Sequence, residues 1–437
     1  MTRKVAIILD VDPLEYCGGA ERWALTLAQL LNKHNVHVTV FAPGKHDGKL
    51  LLYKTIRIVK LRSLYKVFGL STVAHMPPDP AVAFTLKDVV EGYAFDSILL
   101  NNLAVVFVDK VGKYAKTVGV VHDYYPVCPL RDLICSDESM RSIADKKSKM
   151  LNCISCIIRY KPSLVFDTFL FSRKIREKLL QLDTLVFVSN AQKTLTTIYS
   201  AKSDMYRDTE IIISGPLLDP LVEQLARALP RRKESLAIAY IGGLKKSRGF
   251  DRFADLVLNV LKYVDAFEVH IHGKIEEKSM IAHLRDMYKT SFTSFKSKKV
   301  KLHIGYIDYS ELLDEMVHKS YVIFSTSRCP ESAPLYVIES FALGSLTIAQ
   351  RRLYGPYEIA LKILGMVNAE IQDKYIQLTN MFTKYLHGKR ELSSYLAVAF
   401  KRFVEDYFTP KIFSVASRAA LRMSYHNFKV VRDAILN

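Results

Sequence analysis

Two glutamates separated by seven residues are the side chains of this sequence whose type and spacing best suit chemistry. Glu331 lies in a loop that follows a strand-like run, and Glu339 lies in the apolar run 335–344. That run predicts a buried helix, because only Glu339 and Ser340 interrupt its apolar character. A buried carboxylate needs hydrogen-bond donors, so Glu339 requires a partner from outside its helix. A ligand or an arginine of a neighbouring element would satisfy it.

The loop before this helix is predicted to bind an anion. Side chains of a helix lean toward its N-terminus, so Glu339 is expected to approach Glu331 and to line one pocket with it. Pro334 suits a first helical turn, where free backbone N–H groups attract phosphate. The residues expected to contribute are Ser332, Ala333 and Leu335. A phosphate site between two carboxylates that accept hydrogen bonds from hydroxyls predicts a sugar nucleotide as the ligand.

Gly18 and Gly19 lie where the first predicted strand turns into the first predicted helix. Glycines there let the backbone approach a ligand, and the helix N-terminus favours negative charge. The pattern lacks the third glycine and the downstream acid of a dinucleotide site, so it predicts phosphate or sugar contact rather than NAD binding. A plain tight turn is the alternative. His122 ends another strand and is a candidate to bind a sugar hydroxyl, although a lone histidine is more often structural.

A second glycine turn, residues 242–249, is termed the clamp loop. Gly242 and Gly243 follow the first strand of the second half, and Lys245, Lys246 and Arg248 come before the next helix. This composition suits the binding of a diphosphate, in which the planar guanidinium of Arg248 can contact two oxygens. A solvated basic turn is the alternative interpretation.

Four cysteines form a separate candidate site. Cys153 and Cys156 have the C-x-x-C spacing of a tetrahedral thiolate site, and Cys128 and Cys135 precede them. A structural zinc ion is therefore one interpretation. Disulfides and free thiols are the alternatives, although a chain without an export signal is expected to keep its thiols reduced.

Composition indicates a globular protein of two domains. The chain has 437 residues, 49% of them hydrophobic and 24% charged. It shows no short-period repeat or low-complexity segment, which argues against a solenoid or a disordered scaffold. The net charge of +18 attracts phosphorylated small molecules, an anionic membrane surface or nucleic acid. Nucleic acid is not expected as a partner, because no binding module with a characteristic spacing is present.

Strands and helices alternate in each half of the chain. The predicted strands are 5–11, 36–42, 56–60, 97–101, 116–121, 184–189 and 211–214 in the first half, and 237–241, 267–272, 300–304, 321–324 and 345–349 in the second. Parallel strands with helical crossovers predict an α/β architecture. We expect two Rossmann-like, doubly wound parallel sheets facing each other across a cleft.

The predicted division is a first domain 1–215, a linker 216–235, a second domain 236–404 and a helical segment 405–437 that crosses back to the first domain. The N-terminal apolar run is too short for a signal peptide, and no run reaches the roughly 20 apolar residues of a membrane span. The expected location is therefore cytoplasmic, with peripheral contact to the inner face of the membrane.

Taken together, these motifs resemble family 4 of the glycosyltransferases. The most specific part is Glu331 and Glu339 with seven residues between them, followed by the run 340–344. The other matching segments, in chain order, are 18–22, 122–123, 186–190, 242–249, 272–273 and 305–307. The run 122–129, with the later cysteines, is also similar to a subgroup of the family that carries four cysteines here. The resemblance implies the GT-B fold, which is built from two Rossmann-like domains.

The resemblance also implies an activity: a hexosyltransferase that uses a nucleoside-diphosphate sugar, retains the configuration of the sugar and requires no metal or other cofactor for catalysis. Glu339 would bind the ribose hydroxyls, and Glu331 would face the donor sugar as a catalytic residue. The diphosphate would be held by Arg248 with Lys245 or Lys246. The first domain would bind a glycan, lipid-linked or small-molecule acceptor. Gly18, Gly19 and the second catalytic candidate, His122, would reach from this domain into the cleft, where the two glycines would contact the donor.

One departure from the family pattern concerns Gly243. The family often has an arginine at this position of the clamp loop, so one phosphate contact is missing and weaker donor binding is expected unless Lys245 or Lys246 replaces it.

Two other functions are alternatives to glycosyl transfer. One is a sugar-nucleotide epimerase of the same fold, which needs a base for a proton on the sugar ring. The other is a non-catalytic protein that binds polyanions.

Overall fold

The computed structural model describes residues 2–15, 18–45, 50–53, 55–62, 64, 92–125, 175, 177–199, 209–229, 236–259, 268–293, 301–351, 355–407 and 409–437. The four cysteines of the predicted zinc site lie outside the described residues. The chain divides into two compact units, Met1–Pro220 with Ser424–Asn437 and Leu221–Met423. No helix in the described ranges is long and apolar enough to span a bilayer.

Eight strands form the sheet of the first unit. They are β1 (Lys4–Ile8), β2 (His37–Pro43), β3 (Leu50–Tyr53), β4 (Ile56–Leu61), β5 (Ser97–Asn101), β6 (Lys116–Val121), β7 (Thr184–Phe187) and β8 (Glu210–Ile213). Their order across the sheet is β3-β4-β2-β1-β5-β6-β7-β8. Neighbours are parallel except β3 and β4, which run antiparallel. The predicted parallel sheet is confirmed, and β3 is an edge strand that the sequence analysis missed.

Strand β1 lies in the middle of this sheet because its whole sequence can be buried. Residues 5–8 have no exposed surface, which suits a strand covered on both faces. Helix α1 (Gly19–Lys33) follows and buries an apolar face that includes Trp23. The next helices in chain order are α2 (Val108–Val111), α3 (Asn190–Tyr199) and α4 (Pro220–Arg227), the last of which begins at the unit boundary.

A five-stranded parallel sheet forms the second unit. Its strands are β9 (Leu236–Ile241), β10 (Glu268–His272), β11 (Lys301–Gly305), β12 (Ser320–Ser325) and β13 (Leu346–Ala349). Their order is β11-β10-β9-β12-β13. The chain adds β10 and β11 on one side of β9 and returns to the other side with β12. The strand order reverses there, so the loops after β9 and β12 lie side by side at the carboxyl edge, where α/β sheets usually bind ligands.

Helices alternate with these strands and then follow one another directly toward the C-terminus. They are α5 (Phe250–Asn259), α6 (Met280–Thr293), α7 (Tyr309–His318), α8 (Leu335–Ala342), α9 (Gly355–Val367), α10 (Ala369–Leu386), α11 (Ser393–Tyr407) and α12 (Pro410–Leu436). Helix α8 is the buried helix that the sequence predicts, because every residue of it except Tyr336 is buried.

Helix α12 passes from the second unit into the first between Met423 and Ser424. The hydroxyl of Ser97 in β5 donates to the carbonyl of Ile435 at 2.5 Å. The hydroxyl of Ser424 accepts a hydrogen bond from the N–H of Leu218 at 2.9 Å. These bonds attach the end of α12 to the first unit.

Candidate functional site

The loops after β9 and β12 are in close contact at the carboxyl edge of the second sheet. Gly249 has a φ of +73°, and a β-carbon on it would collide with the backbone carbonyl of Thr326, so only glycine fits there. The Thr326 hydroxyl donates to the Gly249 carbonyl at 2.8 Å. The N–H of Arg328 donates to the Ser247 carbonyl at 3.0 Å. The clamp loop and the loop that carries Glu331 are therefore direct neighbours.

Arg248 of the clamp loop is paired with Glu331. Its Nη1 donates to Glu331 Oε1 at 2.7 Å, and the Tyr336 hydroxyl donates to Glu331 Oε2 at 2.9 Å. The Glu331 side chain is 11% exposed and that of Arg248 is 41% exposed, so the carboxylate is enclosed while the guanidinium lies at the surface. The sequence predicts a diphosphate partner for Arg248, and the structure shows a carboxylate partner.

Two tyrosine hydroxyls lie beside this ion pair. The Tyr240 hydroxyl donates to the carbonyl of Gly243 at 2.9 Å, and the Tyr336 hydroxyl lies 2.9 Å from that of Ser325. Burial raises the pKa of both phenols, and the charge of Glu331 raises it further. Both tyrosines therefore remain neutral hydrogen-bond donors around the clamp loop.

Glu339 has a hydrogen-bond donor from outside its own helix. The residue is 4% exposed, and its Oε1 accepts a hydrogen bond from the Tyr309 hydroxyl at 2.8 Å. Tyr309 is the first residue of α7. A tyrosine thus donates to Glu339, where a ligand or an arginine was expected from the sequence.

The start of α8 has the features of an anion site. Pro334 is the N-cap residue, with a φ of −68° and a ψ of 132°, and its own side chain makes no capping hydrogen bond. The predicted phosphate-binding residues around it are Ser332 and Ala333 before the cap and Leu335 as the first helical residue. The start of α9 packs behind them, since a β-carbon on Gly355 would collide with the carbonyls of Glu331 and Ser332. A helix N-terminus in this position suits a phosphate.

The other cations of the clamp loop lie near an acid that the sequence analysis did not include. Lys245 Nζ lies 2.7 Å from Glu276 Oε2. The Glu276 carboxylate also fills the space that a β-carbon would take at Gly243. Gly242 has a φ of +142°, and Lys246 is exposed. Part of the positive charge of the clamp loop is therefore neutralised by Glu276.

The predicted residues of the first half lie in the first unit. Gly18 is the N-cap of α1 and Gly19 is its first residue. His122 follows β6, where its Nε2 lies 2.9 Å from Asn101 Oδ1 and its ring packs edge-on against Trp23 with 4.9 Å between ring centroids. These contacts orient the imidazole. Its predicted catalytic partnership with Glu331 of the second unit stays a prediction.

Sequence reasoning missed three residues that contact the predicted site. Tyr309 and Glu276 come from elements far from residue 331 in the sequence, so no spacing connects them to it. Tyr336 is five residues from Glu331, but within an apolar helix it is expected simply to pack in the core. Only the folded chain shows that its hydroxyl reaches the carboxylate.

No protein-family model matches the sequence, and no curated protein matches it. The structure, in contrast, matches solved proteins over nearly its whole length. Sucrose-phosphate synthase from Thermosynechococcus elongatus matches with a TM-score of 0.54 and 14% identity, over 99% of this chain and 100% of that chain. Trehalose-6-phosphate synthase OtsA matches with a TM-score of 0.58 and 10% identity, over 99% of both chains. These neighbours are GT-B glycosyltransferases. This chain has the GT-B fold.

A third GT-B neighbour is the catalytic domain of starch synthase IV from Arabidopsis thaliana. It matches with a TM-score of 0.54 and 11% identity, over 98% of this chain and 99% of that chain. The GT-B architecture implied by the sequence resemblance is therefore confirmed. Identities of this size establish a shared fold, and function has to be argued from the site. Membership of family 4 and the roles of the site residues stay predictions.

Proposed function

We propose that this GT-B chain is a retaining glycosyltransferase that moves a hexose from a nucleoside-diphosphate sugar to an acceptor. The observation that supports it most is the 2.7 Å contact between Arg248 and Glu331, at the point where the strand order reverses. A guanidinium suited to a diphosphate thus lies beside a carboxylate suited to a sugar. Among the neighbours, a trehalose-6-phosphate structure from E. coli is bound with UDP-2-fluoro glucose, and the starch synthase domain is bound to ADP and acarbose.

The diphosphate leaving group gains negative charge as its bond to the sugar breaks. Arg248 and the N-terminus of α8 are proposed to stabilise that charge, with Lys245 and Lys246 as further cations. When the donor binds, Arg248 exchanges its contact with Glu331 for a contact with phosphate oxygens. The Glu331 carboxylate then faces the sugar, where it acts as a catalytic residue.

Glu339 is proposed to hold the ribose of the donor. An ionised carboxylate only accepts hydrogen bonds, and the two ribose hydroxyls can donate to it. The hydrogen bond from Tyr309 to Oε1 fixes the orientation of this carboxylate before the ligand arrives. Tyr309 is therefore a positioning residue in this proposal.

The acceptor is proposed to bind the first unit, with Gly18, Gly19 and His122 as contacts. A glycan, a lipid-linked sugar or a small molecule fits this role. The net charge of +18 favours an anionic acceptor or an anionic membrane surface.

The location that matches this function is the cytoplasm, with peripheral contact to the inner face of the membrane. A structural zinc ion at Cys128, Cys135, Cys153 and Cys156 belongs to the same proposal.

The test is incubation of the protein with a panel of nucleoside-diphosphate sugars, with and without an extract that contains acceptors. Release of the nucleoside diphosphate that requires the extract and is lost in Glu331→Gln supports transfer. A matched control is Glu277→Gln, which removes an acid near the clamp loop but outside the proposed site. A changed sugar on an intact nucleotide would instead identify an epimerase. Failure to bind any member of the panel would leave a polyanion-binding protein and end the proposal.

A further inference from the structure

A group of polar side chains lies on one face of the second sheet, under α7. It consists of Glu268, His270 and His272 on β10, His303 on β11, Glu315 on α7 and Tyr321 on β12, and is termed the histidine cluster. Alternate residues of a strand point to the same face, so the three residues of β10 share one side. Alanines 237 and 239 of β9 lie in register with Tyr321 and His270 respectively. Their small size leaves room for the tyrosine to reach across β9.

Three potential ligand atoms of the histidine cluster lie within 4.8 Å of one another. His270 Nδ1 lies 3.6 Å from Glu315 Oε2, and His272 Nε2 lies 3.5 Å from the same oxygen. His270 is 1% exposed and His272 is 7% exposed. Neither ring nitrogen of His272 has a hydrogen-bond partner among the described residues. A buried imidazole without such a partner is costly and requires an explanation.

The histidine cluster also has fewer polar hydrogens than the hydrogen-bond acceptors in it require. The Tyr321 hydroxyl donates its single hydrogen to Glu315, yet its oxygen also lies 3.1 Å from His270 Nδ1. His270 Nε2 lies 3.2 Å from Glu268 Oε2. A neutral imidazole has one N–H. If the proton of His270 is on Nε2, then Nδ1 faces the oxygen of Tyr321 without a proton. If the proton is on Nδ1, then Nε2 faces the carboxylate of Glu268 without a proton.

A second proton on His270 would remove this conflict, but it would place a charged ring at a position that is only 1% exposed. A buried charge of this kind is costly.

We propose that His270 Nδ1, His272 Nε2 and the Glu315 carboxylate bind one Zn²⁺ ion, with Glu268 accepting a hydrogen bond from the Nε2–H of His270. Bond lengths near 2.0–2.2 Å in a tetrahedral site require ligand atoms about 3.3–3.5 Å apart, close to the separations from Glu315 Oε2. Two nitrogens and one carboxylate oxygen form a ligand set that zinc commonly takes. The ion accepts the lone pairs of His270 Nδ1 and His272 Nε2 and neutralises the Glu315 carboxylate.

The remaining contacts of His270 fit this role. A histidine that binds a metal through one nitrogen usually donates its other N–H to a carboxylate, and Glu268 is in that position. Lys319 Nζ lies 3.4 Å from the same Glu268 oxygen and holds it in place. The ring of His303 stacks on that of His270 with 4.3 Å between centroids. Each contact constrains the orientation of the imidazole.

The proposed zinc site is next to the clamp loop. The carbonyl of His272 accepts a hydrogen bond from the N–H of Gly242 at 2.9 Å. A β-carbon on Gly273 would collide with the carbonyl of Gly242, so the two segments are in close contact. The ion thus connects α7 to β10 at His272, the residue whose carbonyl contacts the clamp loop. Its role is structural and is independent of glycosyl transfer.

The experiment measures zinc bound per chain by equilibrium dialysis and its affinity by calorimetry, in the full-length protein at pH 7.5. Glu315→Gln and His272→Ala should each lose one equivalent or bind it at least tenfold more weakly. His318→Ala is the matched control, because His318 lies on the same helix with a 54% exposed side chain and should leave binding unchanged. With Co²⁺, the lost equivalent should show visible bands without a thiolate charge-transfer band, which separates it from any cysteine site.

Two results with the wild-type protein and the ligand variants would overturn the zinc site. One is a wild-type protein whose zinc binding equals that of Glu315→Gln. The other is a lost equivalent that carries the thiolate band. If circular dichroism shows that His272→Ala does not fold, Glu268→Gln tests the zinc site instead, because glutamine retains the size and the hydrogen-bonding capacity of the side chain. It should weaken zinc binding about tenfold through His270, and unchanged affinity in that variant would count against the site.

Discussion

The carboxylate of Glu276 occupies the space beside Gly243, where a side chain at that position would begin. Lys245 Nζ holds it there at 2.7 Å. The family pattern often places an arginine at position 243, and this chain has instead an acid that enters from the segment after β10. The predicted weakness of donor binding thus has a second cause, because a negative charge lies against the clamp loop.

Glu276→Gln should strengthen the binding of nucleoside diphosphates, because it removes that negative charge and releases Lys245 for the phosphates. The pair is partly exposed, with side chains 27% and 44% exposed, so the gain is limited to about fivefold. Calorimetric titration with pyrophosphate and with several nucleoside diphosphates measures it. Glu277→Gln is the control for a general change in charge. Weaker binding by Glu276→Gln would show that Glu276 organises the loop rather than opposing the ligand.

Arg248→Ala should weaken nucleoside-diphosphate binding by about 1.5–3 kcal/mol, since a charge-assisted hydrogen bond to phosphate is lost. The same variant removes the partner of Glu331, so the affinity loss should be accompanied by lower turnover. Arg248→Lys retains the charge without the planar fork and should recover part of the affinity. Lys278→Ala, outside the clamp loop, is the matched control. Wild-type affinity in Arg248→Ala would mean that the phosphates bind elsewhere.

Glu331→Gln should retain donor binding and reduce turnover by about a hundredfold or more. Glutamine keeps the size of the side chain and can still accept the hydrogen bond from Tyr336, so the loop keeps its shape while the charge is lost. The measurement is kcat together with donor affinity. Tyr336→Phe separates the effect of the position of the Glu331 carboxylate from the effect of its charge. This variant keeps the carboxylate and removes only one hydrogen-bond donor to it. Unchanged kcat in Glu331→Gln would exclude Glu331 from the mechanism.

Glu339→Gln should weaken the binding of nucleoside diphosphates while leaving pyrophosphate binding unchanged, because only the former carries ribose. The loss is expected to be about 1–3 kcal/mol, the value of a hydrogen bond to a charged acceptor. Tyr309→Phe should give a smaller loss with the same ligand dependence, since Tyr309 only orients the carboxylate. Calorimetry with both ligands checks this. An equal loss for both ligands would place Glu339 in the phosphate site or in the core.

The parts of this protein that its sequence predicts are those set by local pattern. Strands β5 and β6 have the predicted bounds because apolar runs between polar residues define them. The clamp loop and the loop that carries Glu331 were located correctly, because glycines and cations follow β9 and acids follow β12. Strand β3 was missed although it is an apolar run between two lysines, because a run of four residues is too short to identify a strand without its antiparallel pairing with β4.

Long-range contacts explain the rest of what the sequence did not show. The Tyr309 hydroxyl reaches Glu339 across 30 positions, and the partner of Arg248 is 83 positions away. His270 and His272 alternate on one strand, but their approach to Glu315 depends on how α7 packs on the sheet. Spacing in the sequence contains no information about such packing, so the histidine cluster had no signal as a metal site.

Gly249→Ala should destabilise the second unit by about 2 kcal/mol or more. The residue has a φ of +73°, which costs an alanine about 1 kcal/mol, and the added β-carbon meets the backbone carbonyl of Thr326, which cannot rotate away. Gly243→Ala should cost less than 1 kcal/mol, because the colliding atom is the end of the Glu276 side chain. Gly305→Ala, with open space around it, is the control. Thermal unfolding followed by circular dichroism should therefore rank the three variants in this order, with Gly249→Ala several degrees lowest. A melting temperature of Gly249→Ala equal to that of Gly305→Ala would contradict the close contact between the clamp loop and the segment after β12.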